Sequence, residues 1–232
     1  MEDVVKLLNE HFKPISIFLY GSRARTDFTN RSDFEIGVLF PKDRYVGRRE
    51  IGKLVSKEGY NFYPFEYEDF LQGRIDTPFQ KKIYMRELVL AGKTLSGEKI
   101  IEKMKAPSIS MIDLIQDLRF NLGYALASVI SHRNGDKISA SLEFYKSCLF
   151  ATRALVIMKL GVFPLTYDEI LKNSKRLNLG EHSELVLKAY KVRKGDNYEE
   201  KDLFQNITYL NEFIEPLLLE AFGKEGNKVL IE

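Results

Sequence analysis

Residues 15–40 read ISIFLYGSRARTDFTNRSDFEIGVLF, and the fold of the N-terminal half turns on how they are parsed. Ile15 to Tyr20 is an apolar run of strand length, Gly21-Ser22 makes a tight turn, a polar segment follows, and a second strand opens at Ser32. That second strand alternates strictly. Asp33, Glu35 and Gly37 point to one face, Phe34, Ile36 and Val38 to the other. Two carboxylates thus share one strand face beside a Gly-Ser turn. Carboxylates so placed repel each other and are costly to leave unpaired in a partly buried site, and a divalent cation relieves both costs. The stretch predicts a metal-dependent nucleotide site with Asp33 and Glu35 as metal ligands.

Outward from this stretch, Val4, Val5, Leu8 and Phe12 fall on one helical face, which predicts a short amphipathic helix over residues 2–12, closed before Pro14. Pro41 ends the second strand, and Arg44 to Lys57 reads as a helix. The aromatic run YNFYPFEY, Tyr60 to Tyr67, reads as a third strand that Pro64 confines to an edge or a bulge. Glu68 to Leu71 begins a turn of helix, and Thr77-Pro78 precedes a helical run from Phe79 to Leu90. A few strands among helices imply an α+β arrangement, a small mixed sheet with helices.

Residues 97–110 change character, with lysines and then Ala106-Pro107-Ser108, and this places a domain boundary that gives domains 1–106 and 107–232. Ser110 and Asp113 form an acidic version of the capping box, so a helix starts at Met111. Beyond it no strand signal is visible. Met111, Ile115, Leu118, Leu122, Ala125 and Val129 make the stripe of a packed helix. After a turn at His132 to Asp136, Ser139 to Leu160 reads as a central buried helix stopped by Gly161. Helices over Asp168–Lys175, Ser183–Val192 and Asp202–Phe222 complete an all-α bundle.

Composition excludes several classes. A chain of 232 residues with 44% hydrophobic and 29% charged residues is globular. Its 35 Lys and Arg against 33 Asp and Glu leave a net charge of +2, so no strong polyanion-binding field is present and nucleic acid is not the expected partner. The single cysteine, Cys148, lies in an apolar helical run and reads as buried core, which suits a reducing compartment. The acidic amphipathic opening has no signal-peptide core, and no apolar run is long enough to span a bilayer. The expectation is a cytoplasmic protein with no membrane partner. His11, His132 and His182 have no metal-ligand spacing and read as surface residues.

Gly21-Ser22-Arg23-Ala24-Arg25 followed by Ser32-Asp33-Phe34-Glu35 resembles the signature of the nucleotidyltransferases of the DNA polymerase β superfamily, closest in style to the minimal and kanamycin-type members. The resemblance implies a glycine that lets backbone approach phosphate, with Gly21, Ser22 and Arg25 holding a nucleoside triphosphate, and Arg23 at a variable position. It also implies two Mg²⁺ ions on Asp33 and Glu35, bridging the phosphates for in-line attack on the α-phosphorus. Thr26 stands where the family usually has a second glycine, and Glu35 where most members have Asp. Family members usually carry a third carboxylate on the next core strand. Here that run is aromatic, and Glu66 is the nearest candidate for base or third ligand, with Glu68 and Asp69 further along.

The helical half resembles HEPN domains in pattern. Ribonuclease members carry Arg and, a few residues later, His before the last helix; Arg193 holds the first place here and Tyr198 replaces the histidine. Arg176 and His182 match the spacing one helix too early, as coincidence. The resulting expectation is Mg²⁺-dependent transfer of a nucleoside monophosphate, AMP from ATP, to a hydroxyl acceptor, small molecule or protein, by a homodimer. The competing expectations are a nucleotide-binding regulatory or antitoxin-like module with little turnover, and a HEPN-type RNA-binding protein.

Overall fold

A computed structural model describes residues 1–30, 32–75 and 81–232. The chain is α+β and divides into two compact units, Met1–Pro107 and Ser108–Glu232.

In the first unit, helix α1 (Glu2–Phe12) leads to strand β1 (Ser16–Tyr20), a single helical turn α2 (Gly21–Ala24), β2 (Phe34–Phe40), α3 (Arg48–Leu54), β3 (Tyr60–Glu66), α4 (Tyr67–Leu71), α5 (Lys81–Ala91) and β4 (Lys93–Gly97). The expected start of α5 at Phe79 lies outside the described residues. The sheet runs β3-β2-β1-β4. β1 is antiparallel to β2 and β4, and β3 is parallel to β2. β3 is thus an edge strand, as Pro64 requires, since proline cannot donate to a ladder on both sides. β4, unforeseen in the sequence, forms the other edge.

The alternation of β2 divides two cores. Ile36, Val38 and Phe40 pack with Val4, Leu8, Ile17, Ile51 and Phe62 on the face that α1 and α3 cover. Opposite, Phe18, Leu39, Phe65, Phe70, Met85 and Leu88 form the second core. Position 37 lies on that second face by alternation, and it is glycine there because a Cβ would run into the Phe18 ring. The acid-bearing positions Asp33 and Glu35 continue this face beyond its apolar part.

The second unit opens with β5 (Ile109–Ser110) and proceeds through α6 (Met111–Arg133), α7 (Lys137–Leu160), α8 (Tyr167–Ser174), α9 (His182–Lys194), α10 (Glu200–Thr208), α11 (Glu215–Glu225) and β6 (Val229–Ile231). The capping box is present: the Ser110 backbone N–H donates to Asp113 Oδ2 at 2.8 Å. Asn227 adds a second cap by accepting from the Ile112 N–H at 2.9 Å. β5 and β6 form a short antiparallel ribbon, a correction to the strand-free expectation. Strands of two and three residues leave too little alternation to detect.

The single last helix expected over Asp202–Phe222 is also corrected. Between α10 and α11 the residues Tyr209–Ile214 form a π-helical segment, and Pro216 follows it. Proline has no N–H and its ring crowds the carbonyl four residues back, so the wider turn before it relieves both conflicts. α7 is the buried centre, with Cys148, Leu149, Ala151 and Ala154 fully enclosed. Burial also raises the Cys148 thiol pKa. Among the described residues no helix is long and apolar enough to cross a membrane.

Candidate active site

The site is assembled at the junction of β1, α2 and β2. Tyr20, the last residue of β1, pairs in register with Glu35 of β2. The chain then turns at Gly21, whose φ of +70° lies in the left-handed region that favours glycine. The space beside Gly21 is already taken: a Cβ there would collide with Oε2 of Glu35. The missing side chain therefore lets the Glu35 carboxylate press against the turn. Asp33 precedes β2 and is exposed, whereas Glu35 is half-buried. Asp33, Glu35, Gly21 and Ser22 are thus brought together.

The turn is closed by its own backbone. Arg25 N–H donates to Gly21 O at 3.1 Å and Asp27 N–H to Ser22 O at 2.8 Å. The first turn of α2 leaves N–H groups without partners inside the helix. Arg23 holds the loop to β2: its Nε donates to Ser32 O at 2.9 Å, and its guanidinium lies 4.0 Å from the Phe34 ring centre and 4.9 Å from that of Phe28. Thr26, at the second-glycine position, has φ +60°, an unusual state for a β-branched residue. The position wants glycine for its backbone, and Thr26 occupies it under strain.

Two of the expected site residues have partners away from the acid pair. Arg25 is turned toward α5. Its side chain is 4% exposed and forms an ion pair with Glu87 of α5, so it anchors the turn to the second core. Glu66 is not with the acid pair. It stands opposite Phe40 at the far end of β3, five residues beyond Asn61, or roughly 16 Å along a strand. Its carboxylate accepts from the Glu68 N–H at 3.0 Å and so caps α4. Asp69 is paired with Arg74 at 2.5 Å.

The β3 residue opposite Glu35 is Asn61. Its Nδ2 donates to Asp33 Oδ2 at 2.9 Å. Arg48, the first residue of α3, approaches from the sheet edge. Its Nη2 is 3.4 Å from Asn61 Oδ1, and its guanidinium lies 4.9 Å from the Tyr63 ring centre. Tyr63 and Tyr84 both pack edge-on against Tyr20. Burial, then Tyr84, then Glu35 and Tyr63 push the Tyr20 phenol upward, so it stays protonated. Sequence reasoning missed Asn61 and Arg48, because the parallel β2–β3 register brings Asn61 to the acids and the packing of α3 brings Arg48 to Asn61.

The acids fit a hard divalent cation. Carboxylate oxygens are its natural ligands, one of them is exposed, and the turn beside them accepts no side chain. Among the described residues no group of three or more Asp, Glu, His or Cys could hold a metal by itself. Two acids suit an ion that takes further ligands from a phosphate.

Residues 2–94 match the family model "Polymerase beta, Nucleotidyltransferase". The N-terminal unit is a nucleotidyltransferase domain of the DNA polymerase β superfamily. No curated protein matches the chain in sequence. Among solved structures, the chain is similar to a spectinomycin adenyltransferase from Enterococcus faecialis, solved with ATP and spectinomycin. The identity is 16% and the TM-score 0.59, over 91% of this chain and 96% of that one, a likeness of fold.

In the helical unit, Arg193 is buried with its guanidinium 4.5 Å from the Tyr167 ring centre. Tyr198 O–H lies 3.1 Å from His132 Nδ1. His182 packs at a tilt against Tyr209 and Phe213, and Arg176 donates to Asn173 Oδ1 at 3.1 Å. His132 and His182 are half-buried ring partners, not surface residues.

Proposed function

We propose that the protein moves a nucleoside monophosphate, AMP from ATP, onto a hydroxyl of an acceptor in a divalent-metal-dependent reaction. The observation that carries this reading is the Glu35 carboxylate lodged against the side-chain-free Gly21 turn, with Asp33 on the same face. When bound, Mg²⁺ on Asp33 and Glu35 would neutralise charge on the triphosphate. Gly21 and the first N–H groups of α2 would approach the phosphates, with the Ser22 hydroxyl beside them. The acceptor oxygen forms a bond to the α-phosphorus, the bond to the β-phosphate's bridging oxygen breaks, and pyrophosphate leaves. The hydroxyl proton passes to solvent, since the residue of β3 beside the acids is an amide. Support for a small-molecule acceptor comes from the spectinomycin adenyltransferase likeness. By the family resemblance the working form is a homodimer, which sedimentation would read out.

Asn61 favours a second reading, a nucleotide-binding module with slow turnover, because an amide cannot serve as a general base. Pyrophosphate release from labelled ATP, measured over a panel of hydroxyl acceptors with Mg²⁺, separates the two. Release that disappears in Asp33→Asn and Glu35→Gln supports transfer. Metal-dependent ATP binding without release for any acceptor supports the second reading.

A further inference from the structure

We infer that the hydroxyl acceptor is the end of a single-stranded nucleic acid, held on the basic face of α3 and its flanks. The inference rests on the nucleotide-transfer reading above and names its acceptor.

The even charge of the whole chain conceals a local excess. Residues 42–57 hold six Lys and Arg against two Asp and Glu, an excess of +4 within a chain whose total is +2. Lys42, Arg44, Arg48, Arg49, Lys53 and Lys57 are all exposed. Among the described residues none of these six is in an ion pair, whereas exposed cations elsewhere are paired, Lys6 with Glu10, Arg74 with Asp69 and Lys201 with Glu199. Clustered like charges repel one another, and a polyanion relieves that repulsion while releasing its own counterions.

The face is shaped as well as charged. Ile51 is buried, which turns Arg49 and Lys53, four residues apart, outward together. Gly52 stands inside α3 with no left-handed φ, and a Cβ there would meet nothing. Neither backbone nor packing calls for glycine, a poor helix former, at this position. Its missing side chain lets a phosphodiester backbone come close to the helix. Rings are interleaved with the cations. The Arg48 guanidinium lies 4.9 Å from the Tyr63 ring centre, Lys57 Nζ lies 5.0 Å from that of Tyr60, and Tyr45 is 49% exposed. Surfaces that bind single strands combine these two features, rings for bases and cations for phosphates. An acidic peptide would use the cations and leave the rings without a role.

The face also runs up to the acid pair. Arg48 Nη2 is 3.4 Å from Asn61 Oδ1, and Asn61 Nδ2 donates to Asp33 Oδ2 at 2.9 Å. A strand laid along α3 is led past Arg48 to Asp33 and Glu35. There its terminal hydroxyl oxygen bonds to the α-phosphorus of ATP and the bond from that phosphorus to the bridging oxygen breaks. Pyrophosphate leaves, the proton passes to solvent, and the strand is one AMP longer.

A fluorescein-labelled RNA dodecamer titrated with the full chain, followed by anisotropy, tests this. Saturable binding is expected, with a log–log salt slope of about −2 to −3.5, as three to five phosphate contacts at roughly 0.7 each would give. The double variant Arg49→Glu, Lys53→Glu should weaken the RNA at least tenfold while its calorimetric ATP affinity in Mg²⁺ stays within twofold. With ATP and Mg²⁺ the wild type should lengthen the RNA on a denaturing gel. No saturable RNA binding, equal affinity for a polyglutamate dodecamer, undiminished RNA binding or an equal loss of ATP affinity in the double variant, or transfer to small alcohols with none to RNA would each overturn the inference and leave the nucleotide site standing. No ATP bound by the wild type would overturn the transfer reading, and the acceptor with it.

Discussion

Gly21 ties backbone conformation to chemistry. Its φ is +70° and the volume of its absent side chain is filled by Glu35. Gly21→Ala costs about 1–2 kcal/mol for the left-handed backbone alone, and it also displaces the acid. The expected result is a lowered melting temperature together with at least a tenfold loss of ATP affinity by calorimetry. Thr26 presents the opposite case, a branched residue at φ +60°. Strain of this kind amounts to roughly 1–3 kcal/mol, set against about 1 kcal/mol of added chain entropy for glycine. Thr26→Gly should therefore raise the melting temperature by a few degrees; a lower one would refute the strain. Arg25 separates an anchor from a ligand. Removing one member of a buried ion pair costs about 3–5 kcal/mol, so Arg25→Ala and Glu87→Ala should each destabilise strongly and non-additively in chemical denaturation. A stable Arg25→Ala that fails to bind ATP would return Arg25 to the triphosphate.

At the scale of elements, the sequence was most legible where one periodicity persisted. The alternation around Asp33 assigned both faces of β2 correctly, and the Ser110–Asp113 cap marked the start of α6. Illegible were features set by pairing between distant segments. That Asn61 lies opposite Glu35, and Glu66 opposite Phe40, follows from a parallel register that no local pattern encodes. Asp117 of α6 and Arg153 of α7 are likewise brought together only by helix packing, 3.9 Å apart and almost fully buried. Burial raises the Asp117 carboxyl pKa to about 6 despite the opposing pull of Arg153. An acid with a raised folded-state pKa contributes stability that is present below about pH 4 and is lost as pH rises through about 6. The wild-type stability profile minus that of Asp117→Asn should fall across this window. A flat difference would contradict the assignment.

At the scale of the whole molecule, each unit buries its own apolar residues, and Gly21, Asp33, Glu35 and Asn61 belong to the first. The closeness of Gly21 and Glu35 was legible in the sequence because both lie within a single hairpin-like stretch. The contacts of Arg25 with Glu87 of α5 and of Glu66 with the start of α4 were not legible there. The account stands on the acid pair and its turn acting as a metal-dependent nucleotide site. Calorimetric titration of ATP in Mg²⁺ and in EDTA, for the wild type, Asp33→Ala and Glu35→Ala, tests this most directly. Binding that requires Mg²⁺ and is lost in both variants is predicted; equal binding in all three proteins, with or without metal, would contradict it.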